Sequence, residues 1–227
     1  SQAAESSYEK SAAIVTRGEV SKQTVKNKLI GVGKLEKSAP EGKRAVAELH
    51  IFADEDHVSL QNGDNRMVPL ITLCEGIQEV QKGRNALVNP VHFTSDIKQT
   101  KEAWENVGGY ISQAYEEGQI ERIYLHGDGS AWIKQGIEEL PNCEYVMDGF
   151  HFEKQLKQAT VTFKKQNYRF RIRQAIKEKS REKVEGLIRE MISLTDEPNH
   201  KKRIRKFLGY VKNNWDGIVR RCTEDIL

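Results

Sequence analysis

Hydrophobic and polar positions follow two rhythms in this chain, and the change falls near residue 45. In "SSYEKSAAIVTRGEVSKQTVKNKLI" (residues 6–30), Tyr8, Ala12 and Val15 recur at helical spacing, then Val25 and Leu29 on one face of a second segment. Gly18 marks the break between them, and Ser21 is placed to cap the second helix. Helix, short glycine turn and second helix make a helix-turn-helix pattern, with a plain helical hairpin as the competing reading. "GVGKLEKSAPEGKR" (31–44) is rich in Gly, Pro and Lys and reads as a linker.

From Ala45 the period shortens to two. Alternation predicts a strand over 46–54, an acidic turn, and a second strand over 57–61. Asn62-Gly63 signals a hairpin, and "RMVPLITLCEGIQEV" (66–80) reads as a third strand. Residues 96–117 predict a helix with Trp104, Val107 and Ile111 inward, weakened by Gly108-Gly109. A strand over 121–126, a helix over 130–139, a strand over 143–147 and a helix over 149–160 follow. The expected class is therefore α/β in the order βββαβαβα. Three antiparallel strands are extended by two that arrive through helical crossovers, the order of an RNase H-like mixed sheet. From 164 onward the pattern is helical throughout, with "TDEPNHK" as its break. Val184, Leu187, Ile188, Met191 and Ile192 form one apolar face there. This predicts three regions: 1–44, a core over 45–163, and an all-helical segment over 164–227.

Composition narrows the class. With 227 residues, 37% hydrophobic and 30% charged, the chain reads as soluble and globular. Its apolar runs are too short to span a bilayer, so no membrane partner is expected. "SQAAESSYEKSAAIV" lacks the basic start and apolar centre of a signal peptide. Cys74, Cys143 and Cys222 are odd in number and widely spaced, which argues against a disulfide framework or a cysteine zinc site and points to a reducing cytoplasm.

Charge changes the picture more. Residues 1–44 carry a net +4, residues 45–163 a net −10, and residues 164–221 a net +11. An acidic centre suits cations, and basic flanks suit a polyanion such as DNA. Candidate DNA contacts are Ser21, Lys22, Gln23, Thr24 and Lys26 on the second short helix. In the basic block they are Lys201, Lys202, Arg203 and Arg205. Solvated Lys/Arg-rich helices are the bland alternative.

Two acids sit at predicted strand ends. Asp54 closes the first strand and Asp128, in "YLHGDGSAWI", closes the fourth. In a βββαβ sheet of this order those strands are neighbours, so their ends bring the two carboxylates together. Such a pair resists double ionisation unless a cation lies between, and hard oxygen ligands select Mg²⁺ or Mn²⁺. Each acid alone reads as turn or cap chemistry; the pairing in an acidic region is what favours a metal. Asp56 shares a face with Asp54 and competes for the role. His126, Asp148 and His151 are candidates to support the metal ligands, although Asp148 also reads as a helix cap. The glycine-rich "GDGSAWIKQG" lacks the GK[ST] ending of a phosphate-binding loop, which excludes a P-loop nucleotide triphosphatase.

"ADEDHVSLQ", "YLHGDGSAWI" and "LPNCEYVMDGFHFEK" together resemble a family of bacterial insertion-sequence transposases catalogued as an uncharacterised protein family and similar to the Mutator-like branch of the DDE superfamily. The resemblance covers most of residues 6–221. It implies an RNase H-like core with an Asp, Asp, Glu triad and two divalent metal ions. It also implies double-stranded DNA, element ends and target, as partner, and a nucleoid-associated cytoplasmic protein working as a dimer or higher oligomer. Asp54 matches the first acid and Asp128 the second. The glutamate is expected after the helical insertion, in a motif of the kind Cys-Ser-x-Glu-Gly. Glu224 lacks that context, so the third acid is expected beyond Leu227. Rival readings are a non-catalytic DNA-binding relic or regulator, and a metal-dependent phosphohydrolase using Asp54, Asp56, His126 and Asp128.

Overall fold

The structure, a computed structural model, describes residues 21, 23, 24, 42–59, 65–224 and 226. The chain divides into two compact units, Ser1–Pro40 and Glu41–Leu227. In the first unit the Ser21 hydroxyl accepts the Thr24 backbone N–H at 3.2 Å, as an N-cap does. Lys22, Lys26 and the rest of the helix-turn-helix pattern lie outside the described residues, as does the Asn62-Gly63 turn.

The second unit is mixed α/β. Five strands form its main sheet: β1 (Glu48–Ser59), β2 (Asn65–Cys74), β5 (Val91–Thr94), β6 (Arg122–Gly127) and β7 (Cys143–Met147). A separate hairpin is formed by β3 (Ile77–Gln81) and β4 (Arg84–Leu87). The sheet order is β5-β2-β1-β6-β7. β1 pairs antiparallel with β2 and parallel with β6; β6 pairs parallel with β7. Seven α-helices follow among the described residues: α1 (Thr100–Ala114), α2 (Ala131–Glu139), α3 (Gly149–Thr160), α4 (Tyr168–Lys177), α5 (Arg181–Ser193), α6 (Pro198–Asn213) and α7 (Trp215–Thr223).

Two predicted boundaries are corrected. The acidic run Asp54–Asp56 is no turn: β1 passes straight through it, pairing Asp54 with Leu70 and Asp56 with Val68. Its pairing with β6 stops at Phe52–His126 and that of β2 with β5 at Leu70–Thr94, so beyond Asp54 β1 and β2 continue as a two-stranded ribbon outside the sheet body. Glu55 on that ribbon accepts the Trp132 Nε1–H of α2 at 2.6 Å, but residues 54–59 belong to neither large apolar core, so the acids there mimic a turn in sequence. The run 66–80 is also not one strand. It breaks at Glu75-Gly76, where Gly76 has φ +135, and the third sheet strand is β5, reached after the β3–β4 hairpin.

Two cores hold the unit. Leu49, Ile51, Ile71, Leu73, Ile123 and Leu125 present one sheet face to Trp104, Val107 and Ile111 of α1 and to Ile133 of α2. A second cluster joins Tyr145 and Met147 of β7 to Phe152, Ile172, Val184, Ile188, Ile204, Phe207 and Ile218 of the later helices. β7 is an edge strand, and α7 covers that edge. Arg220 donates from Nη1 to the Tyr145 carbonyl at 2.6 Å, and Gly217 lies against the Tyr145 ring.

Candidate active site

Parallel pairing sets the geometry of the site. Asp54 and Asp128 each lie two residues beyond the last β1–β6 pair, Phe52–His126. Both line one cleft of about 300 Å³, together with Leu70, Thr72, His126, Asp148 and His151. Asp54, Asp128, Asp148, His126 and His151 are therefore brought together. Asp56 is not among the residues lining the cleft; it stands two residues further along the ribbon, about 7 Å on.

The carboxylates are held by local backbone bonds. Asp54 Oδ1 accepts the Glu55 N–H at 2.9 Å. Asp128 Oδ1 accepts the Ser130 N–H at 2.9 Å, which starts α2. Asp148 Oδ1 caps α3 by accepting the His151 N–H at 2.8 Å, and His151 Nδ1 donates to the same oxygen at 3.0 Å. Asp128 and Asp148 therefore carry the turn and cap roles of the plain reading, each through a single oxygen. Among the described residues, the second oxygen of each of these three acids makes no hydrogen bond.

His126 has a different partner from the one expected of a metal-supporting group. It is buried, stacks on Phe52, and meets His50 Nδ1 through Nε2 at 3.3 Å. Burial, with His50 and Arg221 nearby, holds its pKa down to about 4, and burial does the same to His50.

The loop carrying Asp128 is gripped from behind by residues that spacing did not reveal. Tyr145 Oη donates to the Gly127 carbonyl at 2.8 Å, and Lys134 Nζ donates to Asn213 O at 2.7 Å. A Cβ on Gly127 would lie 2.8 Å from Ile133, and one on Gly129, where φ is +93, would collide with Asn214. The Asn214 Oδ1 pressed against that glycine is buried without a hydrogen-bond partner among the described residues, while its Nδ2 donates to the Tyr210 carbonyl. The tyrosine hydroxyls register the acids. Burial raises the pKa of Tyr145 and Tyr210, and the charges of Asp128 and Asp148 raise both further. Asn214 lies 86 residues from Asp128, and no motif links the two.

Carboxylate oxygens fit a hard divalent cation. Among the described residues no three His, Cys, Asp or Glu side chains converge to hold an ion; Asp54, Asp128 and Asp148 line the same cleft.

The basic block separates into two parts. Arg169 and Arg173 pair with Glu153, Arg171 with Glu190, and Arg181, Arg189 and Lys212 with Glu185. On α6, by contrast, Lys202, Arg203, Arg205 and Lys206 are exposed, and no ion pair forms to them or to Lys201 among the described residues. They lie about 6–14 Å along the helix from Tyr210, whose charge environment includes Asp128.

No helix among the described residues is long and apolar enough to cross a membrane. The profile of the uncharacterised protein family UPF0236 matches residues 1–226. A UPF0236 protein of Caldanaerobacter subterraneus subsp. tengcongensis is 38% identical over 227 residues, covering 99% of this chain and 48% of the relative. Its name joins eleven locus designations. Another from the same organism, 37% identical over 227 residues with 99% and 48% coverage, joins four, so the family is multicopy there. The chain spans about half the length of the curated relatives it matches. On the match over residues 1–226, the chain belongs to the uncharacterised protein family UPF0236.

Proposed function

We propose that the chain is the greater part of the DNA-handling and metal-holding region of a DDE-type DNA transposase with an RNase H-like core. The observation that carries the reading is the shared cleft of Asp54 and Asp128, each two residues past the end of one parallel ladder. The strand order β5-β2-β1-β6-β7 supports it, because it is the order expected of an RNase H-like sheet once the β3–β4 hairpin is set aside as an insertion. Recurrence of a relative at eleven loci in one genome is what a gene that moves itself leaves behind.

In this reading Asp54 and Asp128 hold Mg²⁺ or Mn²⁺, two ions in the active form. When bound, the ions activate a water or a 3′-hydroxyl and stabilise the leaving oxygen of a phosphodiester. The protein's own groups set the stage. Gly127 and Gly129 let Ile133 and Asn214 pack close against the Asp128 loop, Tyr145 holds the Gly127 carbonyl, and His151 fixes Asp148. The free cations of α6 take the DNA backbone, with Ser21, Lys22, Gln23, Thr24 and Lys26 as further contacts. The third acid is sought in the half of the relatives that this chain does not span. The protein then works on chromosomal DNA, as a dimer or larger assembly.

Calorimetric titration with Mn²⁺ tests the site. Saturable binding is expected in the parent chain and its loss in both Asp54→Asn and Asp128→Asn. Equal heats in all three proteins refute the assignment. In the full-length protein, the same two substitutions should abolish cleavage of element-end DNA.

A further inference from the structure

Phe150 stands out among the exposed aromatics. It occupies the first turn of α3, between the two cleft residues Asp148 and His151, and is 71% exposed. The His151 ring lies perpendicular to it, with centroids 5.5 Å apart, so the benzene ring stands directly beside the cleft. Lys154, one turn further on, places Nζ 5.9 Å from the ring centroid. The exposed Arg221 guanidinium packs over the preceding residue, Gly149, where a Cβ would lie 3.0 Å from Nε. Among the described residues Arg221 forms no ion pair, and its charge reaches His126 in the cleft.

A single exposed phenylalanine needs no explanation by itself. Here, however, one cation lies near its ring and a second packs over the adjacent Gly149, at the lip of a cleft that is otherwise acidic. An exposed aromatic face with cations nearby is the arrangement by which proteins hold an unpaired base and its neighbouring phosphates. Bases inside a duplex have their faces covered by stacking and cannot offer them to a side chain. We infer that Phe150 stacks an unpaired DNA base at the mouth of the Asp54–Asp128 cleft, with Lys154 and Arg221 taking the flanking phosphates. This rests on the DNA reading above and adds a requirement to it: the strand entering the cleft is locally single-stranded.

The test uses the 227-residue chain and two fluorescent probes of the same sequence, a blunt duplex and a duplex with a short 3′ overhang. The parent chain is expected to prefer the overhang. Phe150→Ala should lower overhang affinity by about 5- to 150-fold, leaving the blunt duplex within twofold. Phe150→Trp should retain the preference. Lys154→Ala with Arg221→Ala should weaken both probes and flatten the salt dependence. Phe150 is a surface residue, so its substitutions leave the fold intact, and a thermal melt checks this. Equal loss on both probes, or no loss on either, overturns the inference while leaving the DNA reading in place. Failure to bind either probe at low salt overturns both. A Phe150 requirement seen only with phosphatidylserine vesicles makes the patch a lipid contact and also overturns the inference.

Discussion

At the scale of single residues, Asp54 and Asp128 share one cleft. On the metal reading, neutralising either should remove the stabilisation that added Mn²⁺ gives the parent chain; calorimetric melts with and without the ion check this. Gly129 is fixed by two independent constraints, its φ of +93 and the Asn214 side chain against it. Gly129→Ala should cost roughly 1–3 kcal/mol in urea unfolding. The buried His50–His126 pair is neutral in the fold. Since the folded pKa of each, about 4, lies below the unfolded value of 6.5, the unfolded chain binds more protons between those limits. Stability should therefore be fully present above pH 6.5 and fall as pH drops toward 4, by about 3 kcal/mol per fully shifted imidazole. His126→Phe, followed by unfolding at several pH values, should flatten that slope.

At the scale of elements, legibility followed burial. β6, β7, α2 and α3 were read from the sequence within about a residue, because each has one apolar face set against a core. β1 was cut short and β5 missed. The outer half of β1 pairs only with β2, so Asp54, Glu55 and Asp56 carry no hydrophobic signature of a strand. β5 has four residues, with only Val91 and Phe93 partly buried, too short a run to stand out. The pairing of Asp54 with Asp128 could be anticipated because strand adjacency depends on element order rather than on exact boundaries. The packing of Asn214 against the Asp128 loop, and of Asn213 against Lys134 of α2, could not, since both depend on how α6 turns into α7. Arg220 shows a similar long-range dependence, joining α7 to the Tyr145 carbonyl of β7. Arg220→Ala should cost on the order of 1–3 kcal/mol by leaving that buried carbonyl unpaired, measured by chemical denaturation.

At the scale of the whole molecule, the net charge of +3 conceals two differently paired sets of cations. Cations on α4 and α5 are largely neutralised by Glu153, Glu185 and Glu190, so they knit the helices together. Those on α6 remain available to a polyanion. Replacing Lys202, Arg203 or Arg205 singly with Ala should lower the slope of log affinity against log salt by about 0.9 per lost phosphate contact. Substituting Arg171 or Arg189 should leave that slope unchanged and lower stability instead. Filter binding over a salt series separates the two groups. The cover that α7 lays over β7 also governs which fragments remain in solution. A chain ending at Thr160 keeps all five sheet strands but leaves the β7 edge bare, with Tyr145 and Met147 uncovered. That edge is a template for strands from other molecules, so such a fragment should sediment as aggregates, whereas one carried through Thr223 stays dispersed.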